Sequence, residues 1–153
     1  MANQPTEGDE HQRLRTLLDA YMARKRLKST DQRRLIVDAF FGAKRHVTVD
    51  DMHAIVRTHE TRIGYATVYR TMKLLTECGV AEERRFGDGF TRYELCAGAH
   101  HDHLICVQCG DIAEFNEPRI EALQEEVAVH HGFELRRHEH ELYGLCPDCQ
   151  RRP

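Results

Sequence analysis

The sequence predicts an α+β protein in two parts: a helical N-terminal half closed by a β-hairpin, and a smaller mixed C-terminal half. Three observations predict it. Apolar residues recur at helical spacing in four successive segments up to Cys78. Two short stretches, 80–86 and 90–95, flank Gly87-Asp88-Gly89, which is a hairpin signature. Beyond Leu95, two CxxC pairs and seven of the 11 histidines crowd into one short segment.

Residues 1–10 are polar, contain Gly and Pro and lack periodicity, so disorder is expected there. From about 11 to 26, Leu14, Leu17, Leu18, Tyr21 and Met22 follow helical spacing. Ser29 or Thr30 can cap a second helix that turns Leu35, Ile36, Ala39 and Phe40 inward and ends near Gly42. Thr48 precedes a third, with Asp50 and Asp51 in its first turn, where carboxylates favour the helix dipole. A fourth runs from about 66 to 78. Val68, Met72 and Leu75 share one of its faces, leaving Thr67, Tyr69, Arg70 and Lys73 on the other, and Gly79 is a natural stop. Short helices, then a helix with a polar, aromatic and basic face, then a hairpin spell a winged helix-turn-helix over residues 11–95.

Ala97-Gly98-Ala99 marks a linker, taken as 96–99, and residues 100–153 form a small α/β domain. Strands are expected at 103–107 and 111–115. Asn116 can cap a helix with Pro118 in its first turn, Ile120, Leu123 and Val127 inward and Gly132 at its end. Residues 133–143 read as a strand.

The net charge of −3 is unevenly spread. Residues 1–95 hold 17 Lys and Arg against 14 Asp and Glu; residues 96–153 hold 5 against 11. A basic half suits a polyanionic partner, and the acidic half a different task. No run of 18 apolar residues exists, and the first twelve residues lack an apolar stretch, so neither a membrane span nor a signal peptide is expected. That places the protein in the cytoplasm, where cysteine pairs signal metal or redox chemistry rather than disulfides.

Cys106-Val-Gln-Cys109 and Cys146-Pro-Asp-Cys149 are two knuckles with 36 residues between them. Each presents two sulfurs to one point, and two together complete a tetrahedral thiolate shell for a structural Zn²⁺. A dithiol redox centre or an iron–sulfur cluster are the competing readings. A thioredoxin-like motif needs a βαβ setting that is absent here. Cys78 is expected to be a buried small apolar residue.

The run His100-His101-Asp102-His103 precedes the first knuckle. In an extended strand, His101 and His103 share one face, and His100 and Asp102 the other, so one strand can serve two metal sites. Imidazole and carboxylate donors suit Fe(II), Mn(II), Zn(II), Co(II) or Ni(II), and disfavour Cu(I).

The run HHDHLICxxCG, the segment Gly64-Tyr-Ala-Thr-Val-Tyr-Arg and the hairpin end Tyr93-Glu94-Leu95 resemble the ferric uptake regulator (Fur) family from about 27 to 149. The resemblance implies a metal-responsive repressor that binds a palindromic, A/T-rich operator as a homodimer, with the second domain mediating dimerisation. It implies a regulatory site of His46, Glu94, His101, His103 and Glu114, and a second site of His100, Asp102, Glu121 and His138. The regulatory metal is expected to be Fe²⁺, with Mn²⁺, Zn²⁺ or peroxide sensing as alternatives. The peroxide-sensing branch has aspartates where this chain has Glu94 and Glu114, which favours a metal sensor. Family members often carry a proline where this chain has Gln32, and a histidine-rich tail where it has four residues after Cys149.

DNA contacts are expected from the fourth helix: Tyr69 and Arg70 on bases, Thr67 and Lys73 on phosphates. Lys28 resembles a family lysine that reaches the minor groove. An enzyme is not expected. A metal-dependent hydrolase on the His/Glu/Asp cluster would need an open site, and no HExxH, nucleophile elbow or Gly-rich phosphate loop is present, nor a sign of a small organic substrate.

Overall fold

Capping side chains and apolar spacing set the helices of the computed structural model, which describes residues 7–43, 46–96 and 100–152. The chain divides into two compact units, Met1–Gly98 and Ala99–Pro153. The expected boundary at 96–99 falls at this division, but residues 97–99 lie outside the described residues.

In the first unit, α1 (Glu7–Arg24) starts earlier than composition suggests. Residues 7–10, expected to be disordered, are helical, because they extend a helix whose later turns bury Leu14, Leu18 and Met22. Residues 1–6 lie outside the described residues. The helix stops two residues before the expected end, with Arg26 in the left-handed region at φ 54°. The Leu27 amide donates to the Met22 carbonyl at 2.9 Å and the Arg26 amide to Ala23 at 3.1 Å, which is a Schellman closure.

Thr30, not Ser29, caps α2 (Asp31–Gly42), its side chain accepting from the Arg33 amide. Thr48 and Asp51 form a reciprocal capping box at the start of α3 (Val49–Arg57). Helix α4 (Tyr65–Glu77) buries Val68, Met72 and Leu75 completely, the face its spacing predicts. Gly79, at φ 79°, ends it: the Val80 amide reaches the Leu75 carbonyl at 2.9 Å and the Gly79 amide reaches Thr76 at 3.1 Å. Strands β1 (Ala81–Arg85) and β2 (Thr91–Leu95) then pair antiparallel from Ala81↔Leu95 to Arg85↔Thr91. Four helices and a hairpin enclose one apolar core, and Cys78 belongs to it. This is the expected winged helix-turn-helix.

In the second unit, β3 (Asp102–Cys106) pairs antiparallel with β4 (Ile112–Phe115) and parallel with β5 (Glu141–Gly144), in the order β4-β3-β5. Helix α5 (Pro118–His130) connects β4 to the segment before β5, and a short α6 (Pro147–Gln150) carries the last knuckle. Three local expectations change. Glu117 caps α5, accepting from the Arg119 amide, while Asn116 donates its side-chain amide to the His100 carbonyl at 3.0 Å. Of the expected strand 133–143 only 141–143 pairs, in β5, which runs one residue further to Gly144 along the free edge of β3. Leu123 and Val127, expected inward, are each 59% exposed, since the apolar stripe of α5 is left largely open by the described residues of its own unit. Among the described residues, no helix is long and apolar enough to cross a membrane.

Candidate metal centres and the helix beside them

The two knuckles converge. Cys106 ends β3, Cys109 follows in the turn closed by the Gly110 amide on the Cys106 carbonyl at 2.9 Å, and Cys146 and Cys149 flank the start of α6. The four sulfurs lie within 4.8 Å of one another, and Cys109 and Cys146 are 3.7 Å apart. Zinc–sulfur bonds of about 2.3 Å in a tetrahedron require sulfurs about 3.8 Å apart, so the shell fits one zinc-sized ion. The amides of Cys146 and Cys109 aim at Cys106 and hold its thiol down to about 6. Burial pushes the Cys149 thiol up to about 12. One thiolate is thus ready for a metal, while another forms only with it.

The faces of β3 separate as alternation predicts. Asp102 is buried and takes a contact from His100 Nε2 at 2.9 Å. His138 Nε2 lies 2.9 Å from Glu121 Oε2, and the His100 and His138 rings stand 4.1 Å apart. All four side chains place a donor atom within 4.8 Å of the others. Asp102 Oδ2 and Glu121 Oε1 are buried without a hydrogen-bond partner, and His138 Nε2, though 2.9 Å from Glu121 Oε2, makes no hydrogen bond of good geometry. Two orphaned carboxylate oxygens beside two imidazoles fit a divalent cation, because burying them unmet is costly.

On the other face, His103 stands opposite Glu114 in the β3–β4 register, and His101 Nε2 lies 3.9 Å from Glu114 Oε1. The His101 and His103 rings are 5.0 Å apart.

The first unit carries its own buried pair. His46, which the sequence alone would leave as a solvated loop residue, is held by the backbone bridge Val47↔Tyr93 next to Glu94. His46 Nε2 lies 2.6 Å from Glu94 Oε2, and Arg84 Nε donates to Glu94 Oε1 at 2.7 Å. Sequence reading missed Arg84. The signal was available in the hairpin register, which puts Glu82, Arg84 and Glu94 on one face.

The sequence profile described as the Ferric uptake regulator family matches residues 24–143. The chain belongs to this family. The ferric uptake regulation protein of Neisseria meningitidis serogroup A is 39% identical over 125 residues, covering 81% of this chain and 87% of that protein. The Campylobacter jejuni protein is 40% identical over 125 residues, covering 80% of each. Among solved structures, the Helicobacter pylori ferric uptake regulator, which has three functional metal-binding sites, superposes with a TM-score of 0.83. It is 28% identical and covers 98% of this chain and 97% of its own. A zinc-bound manganese uptake regulator is 38% identical, with a TM-score of 0.73, covering 84% and 98%.

Ferric uptake regulator family members are metal-responsive transcriptional regulators and not enzymes, which disposes of the hydrolase reading. Transcription regulation is therefore the function of this chain. On α4, Tyr69 is 45% exposed, Arg70 is exposed and Thr67 is half-buried. Lys28 is exposed just before α2. The Lys73 ammonium is held by Glu83 of β1 at 2.5 Å.

Proposed function

We propose that this family member is a repressor activated by Fe(II), which binds a palindromic operator as a homodimer. The observation that carries the reading is a matched pair of sulfur-free donor sets, one on each unit: the buried His46–Glu94 pair, and His101, His103 and Glu114. We assign both sets to one regulatory ion. Imidazole and carboxylate donors together suit a divalent metal of borderline hardness. A bound cation would supply charge and a rigid link between the units.

Within the chain, the Val47↔Tyr93 bridge and Arg84 orient the first set, and the β3–β4 register orients the second. Full coordination is possible in one arrangement of the units only, so occupancy shifts the population towards it. Such coupling is typically about 1–3 kcal/mol, and DNA tightens metal binding by the same factor. The four cysteines take a structural Zn²⁺, and His100, Asp102, Glu121 and His138 a second divalent ion. Helix α4 enters the major groove, with Tyr69 and Arg70 on bases and Thr67 and Lys73 on phosphates. Lys28 reaches the minor groove. The uncovered stripe of α5 supports pairing of two chains, since exposed apolar area of this kind is buried at interfaces.

Mn(II) is the second reading, favoured by the 38% identity to a manganese uptake regulator. Fluorescence anisotropy on a palindromic A/T-rich duplex, run anaerobically with zinc-loaded protein and buffered Fe(II), Mn(II) or Zn(II), separates them. Binding that appears with Fe(II) at micromolar free metal supports the iron reading. Activation by Mn(II) or Zn(II) alone replaces it. His101→Ala should keep its zinc and oligomeric state and lose metal-dependent binding; metal-activated affinity in that variant would overturn the shared site.

A further inference from the structure

Lys73 sits on the outward side of α4, yet its ammonium is already engaged. Its Nζ lies 2.5 Å from Glu83 Oε2 and 5.8 Å from the centre of the Tyr69 ring. Glu83 stands on β1 opposite Tyr93 of β2, so the hairpin holds the carboxylate against the helix. Arg85 reaches the other Glu83 oxygen at 3.5 Å. The lysine side chain is 37% exposed and the glutamate 20%, which leaves the pair accessible to a phosphate. Their hydrogen bond raises the Lys73 ammonium and lowers the Glu83 carboxyl, so both stay charged across the neutral range.

We propose that Glu83 is an intramolecular counter-ion that occupies the place of a DNA phosphate on Lys73, so that DNA binding exchanges carboxylate for phosphate there. The inference rests on α4 being the DNA-facing helix. A carboxylate oxygen and a phosphate oxygen offer an ammonium the same kind of charge-assisted hydrogen bond, so the exchange yields little net affinity. Glu83 therefore weakens binding to every duplex alike and leaves discrimination to the base contacts.

The test uses the full zinc-loaded chain with its activating metal, on a palindromic A/T-rich duplex and a scrambled duplex of equal composition, from 50 to 200 mM salt. Glu83→Gln should bind both duplexes more tightly by the same factor, about two- to five-fold, the range exposed ion pairs are worth. Its plot of log affinity against log salt should steepen, by at most about 0.9, so that the gain is largest at 50 mM salt and shrinks towards 200 mM. Glu83→Ala should behave alike. Lys73→Met should abolish the gain, leaving the double variant equal to Lys73→Met alone. Unchanged affinity and slope in Glu83→Gln would overturn the exchange. So would a gain that survives without Lys73, or one confined to the palindrome. Wild-type protein that binds neither duplex would instead defeat the reading of α4, and this inference with it.

Discussion

The two units are stabilised in different ways. The first buries twenty residues in one apolar cluster drawn from four helices and the hairpin. The second buries three apolar or sulfur-bearing residues among those described, Ile105, Cys106 and Cys149, together with the polar Asp102 and His103. Its helix α5 buries none, and Val129 and Phe133 are 75% and 73% exposed. The first unit has a core of its own. What converges inside the second is metal donors, and its apolar residues point out. Small domains that cannot fill a core are commonly held by a metal or by a partner subunit, and the second unit offers the chemistry for both.

The largest effect that follows is on the cysteines. Cys106→Ser should strip the structural ion, whose binding is worth about 10–16 kcal/mol in small zinc domains, and unfold the second unit while the first stays folded. Zinc content and site-resolved hydrogen exchange would show this: amides of β3 and α5 lose protection, and those of α4 keep it. Protection retained across β3 and α5 would mean that packing, not metal, holds that unit. A mid-sized effect tests the other side. Leu75 is fully buried in α4, so Leu75→Ala should cost the first unit about 2–5 kcal/mol in urea unfolding and leave exchange in the second unaltered. A cost well under about 1 kcal/mol would deny that the first unit rests on its core.

The smallest effect concerns surface charge. The Lys73 hydrogen bond holds the Glu83 carboxyl below the usual carboxylate range. Its contribution is present above the unfolded-state value of about 4.3 and is lost as pH falls through the lower, folded-state value. The stability difference between wild type and Glu83→Gln should therefore be at most about 1 kcal/mol at neutral pH and vanish in acid. Urea melts of both proteins from about pH 3 to 7 check this. A difference independent of pH would assign Glu83 to packing instead.

Much of this was legible beforehand, because its causes are local. Apolar residues three and four apart define a buried face wherever a helix forms, so Val68, Met72 and Leu75 could be named in advance. Thr48 and Gly79 act on backbone within a few residues, and a CxxC turn brings its own sulfurs together. Strand alternation separated His101 and His103 from His100 and Asp102, and the side chains divide that way. An apolar stripe is local too, but what covers it is not, which is why Leu123 and Val127 were expected inward and are exposed.

By itself, then, the sequence determined the family, the winged helix-turn-helix, the four-cysteine site and the donor types. Each of these is a matter of spacing and side-chain chemistry along a short stretch of chain. Only the tertiary structure decided that a bridge from Val47 to Tyr93 buries His46 beside Glu94, that Arg84 takes the second oxygen of that glutamate, and that the hairpin lends Glu83 to Lys73. These depend on which strand registers and helix faces meet across ten to almost fifty residues, where alternation sets the face of a side chain but not its partner.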